Sequence, residues 1–473
     1  MGKYKALLVN IGLFAINTVA TKLITFLLVP LYTSYLTRSE FGIKDTSAQV
    51  TTMVTPLLTL AIAESALRYV IDDKKRSAEY ISIGFYVTLF SCFIVAAGLP
   101  LLDLKAFGGL GDFKLLFLLA YASNAFFYFL SDITRGLDHV KLMVRASIQC
   151  TLTISALSAF FLVFCHMGLR GYFYGYIIGN TTAALELLFG KRQYKYILLR
   201  GFRPSKKLFK AMIAYSIPLI PNWWLGISLS RLAINYKLGA DAVGLFAAVF
   251  QIPNIMYFVY RIFIQAWQLT AFQEFRKKNI GEFFSVMFKF LNAGLVGAAG
   301  FLITFTDFLS SLLLKNEFYS GHILLPSLLI AFYFSCLNEF FGTVFTSALK
   351  TTQNLVSVII GIVLCFSLTL VLAEPCGLFG ACYATITGAF CVAIIRYILS
   401  KKYIQIKISP VSTVLPVALL AVQAAVITRE IPYSIAISLA ITFISAGLQI
   451  FAMRGKLKKI KAMISSRKGS KNG

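Results

Sequence analysis

Apolar stretches recur along almost the whole chain, broken by short polar segments. They run at about 6–36, 41–71, 80–103, 113–134, 146–167, 169–190, 211–237, 242–272, 284–314, 320–349, 355–373, 376–399, 411–428 and 432–453. A helix needs about 20 residues to cross the hydrocarbon core, so the pattern predicts an all-α polytopic membrane protein with about 14 transmembrane helices. Several runs exceed that length, which predicts tilt or projection beyond the lipid. The first run is too long for a signal peptide and shows no small-residue cleavage site, so it is read as helix one.

Most of the 45 Lys and Arg residues fall in alternate breaks. The rich set comprises Lys3 and Lys5, Lys74-Lys75-Arg76, the 191–210 segment, Arg276-Lys277-Lys278, Lys401-Lys402 and the tail after Arg454. The positive-inside rule puts that face, and with it both termini, in the cytoplasm. The other face carries mostly single charges, such as Lys105, Arg170, Lys315 and Arg429.

The two halves repeat one another. Gly168-Leu169-Arg170-Gly171 with Gly179 matches Gly377-Leu378-Phe379-Gly380 with Gly388, and Leu36–Gly42 matches Leu238–Gly244, at offsets of 209 and 202 residues. Shared order and spacing point to duplication, although recurrent glycines also arise from close helix packing alone. The expected organisation is a six-helix bundle over 1–200, a second over 201–407, two extra spans over 408–453 and a basic cytoplasmic tail over 454–473. Six is even, so the repeat is parallel, and such a pair suits rocking about a central cavity.

Composition agrees: 58% of residues are hydrophobic and 14% charged, with no segment that reads as a soluble domain. A formal charge of +26 raises the question of nucleic acid, but the cations are spread over separate loops without a binding fold between them. Topology and contact with anionic membrane lipids account for them better. The eight cysteines lie in or beside apolar runs without C-x-x-C or metal-ligand spacing, and the three histidines are scattered, so no metal or cofactor is expected. A nucleotide-binding P-loop is missing too, which excludes ATP as a direct drive.

Charges inside apolar runs carry the functional signal, because an ionised group at bilayer depth costs about 2.5 kcal/mol or more unless it faces water or a partner. Lys22 stands near the middle of the first run, in one helical sector with Asn10, Asn17, Thr18, Thr21 and Thr25. Arg261 is similarly deep, Arg231 nearer an edge, and Arg68 near a cytoplasmic end. Cations at mid-depth favour an anionic cargo, phosphate above all. For Arg231 and Arg261 the competing reading is an interhelical ion pair. Glu64, Glu186, Asp307 and Glu339 are candidates for coupling or gating and leave proton or sodium drive open. Glu64 and Arg68 are spaced i, i+4 and so read also as a structural pair, as do Asp132 and Arg135. Prolines within runs, Pro30, Pro56, Pro218, Pro221, Pro253 and Pro326, are candidate kinks. Trp223, Trp224 and Trp267 read as interface anchors or packing rather than sugar platforms.

Asn10 through Leu36-Thr37-Arg38-Ser39-Glu40-Phe41-Gly42, then Ala63-Glu64-Ser65-Ala66-Leu67-Arg68-Tyr69, resembles the Wzx-type polysaccharide-unit flippases. Ser216-Ile217-Pro218-Leu219-Ile220-Pro221, Ser230-Arg231 and Leu238-Gly239-Ala240-Asp241-Ala242-Val243-Gly244 are also similar to that family, whose members often carry Asp-Arg at the position of Ser230-Arg231. MATE exporters and MurJ-type lipid II flippases share its superfamily. The resemblance implies transport, without covalent chemistry, of an undecaprenyl-diphosphate-linked oligosaccharide across the bacterial inner membrane by alternating access. It also implies a place in surface polysaccharide assembly (O-antigen, capsule or exopolysaccharide), beside a polysaccharide polymerase and other assembly proteins. Two other readings compete. A MATE-like exporter of small cations sits poorly with Lys22 and Arg261, and a membrane enzyme of polysaccharide assembly would want a larger outer loop with clustered catalytic groups.

Overall fold

The computed structural model describes residues 20–197, 205–217, 230–254, 280–348 and 350–469, with residue 220 and scattered positions from 256 to 275. Lipid offers no partner for a bare backbone N–H or C=O, so a chain of long apolar runs satisfies its backbone within helices. The described residues form seventeen α-helices, with shorter 3-10 and π turns between them. In the first half these are α1 (Val29–Tyr35), α2 (Arg38–Leu58), α3 (Ile62–Asp72), α4 (Ser77–Gly98), α5 (Lys114–Gly136), α6 (Val140–Ala159), α7 (Gly168–Gly190), α8 (Lys206–Ser216), α9 (Ser230–Leu238) and α10 (Ala240–Phe250). The second half holds α11 (Ile280–Thr304), α12 (Thr306–Leu313), α13 (Leu325–Ser347), α14 (Thr351–Cys376), α15 (Leu378–Ser400), α16 (Pro410–Thr428) and α17 (Ser434–Gly469).

Among the described residues eight helices are long and apolar enough to cross a membrane, and α2 with α3 adds a ninth as one span bent by 52°. The runs expected at 6–36, 211–237 and 242–272 fall partly outside the described residues. By contacts the chain divides into two compact units, Met1–Ala247 and Ala248–Gly473. Residues 230–247, which open the second repeat in sequence, therefore pack with the first unit.

Within the first unit α5 packs on α3, α4 and α7, and α6 packs on α7. Ile62, Ala66 and Val70 of α3 meet Ile133 of α5, Leu187 of α7 and Met212 of α8 in one buried cluster. Buried polar groups there find partners: Tyr121 Oη donates to Ser91 Oγ at 3.0 Å, and Ser65 Oγ donates to the Met212 carbonyl at 3.0 Å. Between α2 and α3 the chain turns through Leu60 and Ala61, both with left-handed φ (53° and 48°), just after Pro56. Such φ values are costly for residues with a Cβ and persist only where their surroundings impose them. Pro56 accordingly lies inside a helix, as a kink requires. Pro30 and Pro326 occupy the first turns of α1 and α13, each just after a preceding helical stretch (20–27 and Asn316–Leu324), where a missing N–H costs nothing.

In the second unit α13 is buried along most of its length, which makes it the central helix. Trp267 stacks on Phe340 at 5.2 Å between ring centres and donates its indole N–H to Thr343 Oγ1 at 3.0 Å, so it is a packing residue. The repeat glycines do equivalent work in the two halves. Gly168 and Gly377 both carry a left-handed φ (53° and 57°) at the start of α7 and α15. Gly179 and Gly388 both lie flat on the preceding helix, against Ile154 and Cys365 respectively. The expected repeat and close helix packing thus involve the same glycines.

Candidate functional site

A cleft opens in the first unit beside the Leu60–Ala61 break. Thr52, Thr55 and Thr59 wall it from α2 and its cap, Glu64 from α3, Thr88 from α4, and Asn124, Tyr128 and Asp132 from α5. The spacing of Thr52, Thr55 and Thr59 places them along one side of a helix. Each donates its hydroxyl proton to the carbonyl four residues back, at 2.8, 2.7 and 2.7 Å, and Thr88 does the same at 2.9 Å. A hydroxyl whose proton is committed to backbone offers its lone pairs. Asn124 spends an amide hydrogen on Tyr176 Oη at 2.9 Å, which leaves its oxygen as the freer end. With the half-buried carboxyl groups of Glu64 and Asp132, acceptors predominate among the polar groups of the lining, beside the Tyr128 hydroxyl. It suits a proton or a small cation and would repel a phosphate.

Other charges marked by the sequence are dispersed. Arg68 pairs with Asp72, one turn further on, at 3.2 Å and half exposed, so the Glu64–Arg68 pair allowed by their i, i+4 spacing is not the one formed. Asp132 pairs with Arg135 at 3.1 Å while lining the cleft. Glu186 accepts from Arg145 Nε, Glu339 accepts from the Tyr257 hydroxyl, and Asp307 is exposed in the first turn of α12. Lys22 is helical and exposed. Arg261, Pro218, Pro221, Trp223, Trp224, Asn10, Asn17 and Thr18 lie outside the described residues.

Arg231 forms the interhelical ion pair that competed with a cavity-facing role. Its Nη1 donates to both carboxylate oxygens of Asp45, at 2.7 and 2.8 Å, and the two residues are 5% and 6% exposed. Next to it Lys44 places its ammonium over the rings of Phe41, Tyr32 and Tyr172, at 4.4, 4.9 and 5.3 Å, with the Asp45 carboxylate nearby as counter-charge. Sequence reasoning passed over Asp45 and Lys44, since adjacent opposite charges look self-compensating. It also passed over Arg396, 6% exposed in α15, whose Nε, Nη1 and Nη2 donate to Ser357 Oγ, the Asn338 carbonyl and the Asn354 carbonyl at 2.8, 2.7 and 3.2 Å. A lone charge in the 376–399 run was the available signal.

This helical architecture is shared with known membrane transporters. The lipid II flippase MurJ in an inward closed conformation superposes with a TM-score of 0.69 at 13% identity, covering 94% of this chain and 99% of that one. An inward-facing multidrug resistance MATE family transporter of the MOP superfamily gives 0.67 at 14% identity, covering 83% and 97%. A MATE in the straight conformation gives 0.55 at 15% identity, covering 84% and 95%. No protein-family model and no curated protein matches the sequence. The chain is thus a polytopic membrane protein with the fold of MurJ and the MATE transporters.

Proposed function

We propose that this chain flips an undecaprenyl-diphosphate-linked oligosaccharide across a bacterial plasma membrane by alternating access, without covalent chemistry, for surface polysaccharide assembly. The observation that carries the reading is the fold, held along 94% of the chain in common with a lipid II flippase. Lys22 is the cargo contact we assign, a point charge in an apolar run and suited to phosphate oxygens. The acceptor-rich cleft of Glu64 and Asp132 is assigned to coupling, through a proton or sodium ion. Deleting the gene in a host without a redundant flippase should abolish the surface glycan and accumulate its lipid-linked intermediates. Unchanged glycan would overturn the reading. At equal protein level Lys22→Ala should impair export more than Lys22→Arg.

Export of small organic cations is the second reading, favoured by the acidic cleft and by the fold shared with a multidrug transporter. Efflux of a cationic dye from cells expressing the chain, lost in Glu64→Gln, with surface glycan unaffected by deletion, would select it.

A further inference from the structure

We propose that His322 and Glu430 form a proton-dependent clasp, which fastens the turn between α16 and α17 to the 3-10 stretch Asn316–Leu324 when the imidazole is charged and frees it when the imidazole is neutral. Both elements belong to the second unit. The ring of His322 stacks on that of Tyr319, at 4.8 Å between centres and 18° between planes. Its Nδ1 lies 2.9 Å from the Tyr319 carbonyl oxygen, and its Nε2 lies 3.4 Å from Glu430 Oε1.

Two acceptors thus face one imidazole, and the neutral ring carries a single N–H. With the proton on Nδ1, the Nε2 lone pair points at a carboxylate. With the proton on Nε2, the Nδ1 lone pair points at a carbonyl. Turning the ring over within its stack would put C–H groups where the nitrogens are and forfeit both contacts. The imidazolium alone donates to both, and it sets a positive charge opposite the carboxylate. The contact is therefore strongest at the acidic end of the window from about pH 5 to about pH 8 in which histidine changes charge, and it is lost as pH rises through that window.

Other groups at this end of the unit leave the pairing to His322 and Glu430. Lys315 Nζ donates to the Ser311 carbonyl at 2.6 Å, back along its own segment. Glu317 and Arg429 are exposed on the same two elements, and Asp307 stands at the far end of α12. Of the helices packed on the 3-10 stretch, α12 and α16 end and α13 and α15 begin without Asp, Glu, Lys or Arg in the adjoining turn. Thr428 Oγ1 adds a neutral bond to the Ile323 carbonyl at 3.3 Å. The turn itself has left-handed φ at Glu430 (48°) and Tyr433 (61°), conformations that a residue with a Cβ keeps only where its surroundings impose them. One of these strained residues is the one that supplies the carboxylate. Deeper in α16 the buried amide of Gln423 ties the helix to α11 and α17 at any pH, so what the clasp frees is the turn and not the helices.

The test follows the turn in the full-length chain in nanodiscs, by amide hydrogen exchange over residues 427–434 corrected for the intrinsic pH dependence. It reads no transport, so its failure and that of the cargo reading are told apart. Protection should fall about three-fold between about pH 5.5 and about pH 7.5, a modest change because the Glu430 side chain is 74% exposed. Salt at about 1 M should shrink the fall, since it screens an open pair. In His322→Gln and in Glu430→Gln the fall should vanish. The second variant keeps the shape of an exposed side chain and so leaves folding intact, and a pH effect arising at His139 or His166 would survive it. An equal fall in Glu430→Gln, or no fall in the unaltered chain, would overturn the clasp.

Discussion

Glu40 reaches the starts of two helices at once. Its Oε2 accepts the backbone N–H of Thr37 at 2.9 Å, closing a capping box on α2, while its Oε1 accepts the N–H of Leu169 at 2.9 Å, capping α7. A helix leaves its first N–H groups without partners, and in lipid the alternatives are few. Glu40→Ala should therefore cost about 1 kcal/mol at each of the two helix starts, read as a fall in melting temperature in detergent. Glu40→Gln should recover most of it.

Glycines divide into those that bear a contact and those that do not. Gly244→Ala places a methyl on the Arg38 carbonyl, and the backbone must shift, at about 1–3 kcal/mol. Gly294 in α11 has nothing near its Cβ position, so Gly294→Ala should be neutral or stabilising by up to about 1 kcal/mol. Equal melting temperatures for the two variants would contradict the close approach of Gly244 to Arg38.

Arg396 ties α13, α14 and α15 together through three neutral acceptors, with no carboxylate at ion-pair distance among the described residues. Arg396→Leu would strand the Ser357 hydroxyl and two carbonyls at a cost of about 1–3 kcal/mol for each group left unpaired. Arg396→Lys should rescue little, because one ammonium cannot match three donors set in a planar fork. Thermal unfolding of the two variants, followed by tryptophan fluorescence, checks the ranking.

Gln423 fastens the two extra helices. Fully buried in α16, its amide nitrogen lies 2.8 Å from the Gly300 carbonyl and 3.0 Å from Thr304 Oγ1 in α11, and 2.7 and 3.0 Å from Ser438 Oγ and Thr442 Oγ1 in α17. Interhelical hydrogen bonds in membranes contribute about 0.6–1.7 kcal/mol each, so Gln423→Leu should loosen this clamp by about 1–3 kcal/mol. Faster hydrogen exchange confined to α16 and α17 is the expected sign, and uniform exchange across the second unit would contradict it.

The helices were legible because they are written in local pattern. Gly168 and Gly377 were matched through spacing alone, and the structure gives both a positive φ, 53° and 57°, at a helix start. Charge partners were less legible, because the helical rule allows Arg68 to meet either Glu64 or Asp72, and the bend at Leu60–Ala61 turns Glu64 toward the cleft instead. Arg231 and Asp45 lie 186 residues apart, and nothing local relates them. The threonines of α2 carried no mark in sequence either, since their role depends on which carbonyl takes the proton.

One helix carries both the carboxylate that meets Arg231 and the wall of the cleft. Gly42 and Asp45 occupy the early turns of α2, and Thr52 and Thr55 the late ones, with Thr59 as its cap. Its 21 residues make a rod about 30 Å long, jointed at Leu60–Ala61 to α3, which keeps its own packing against α5. A swing of roughly 10° about one end of such a rod displaces the other by roughly 5 Å, nearly the height of a helical turn. A displacement at the threonine wall and a displacement at Gly42 are then two ends of a single oar.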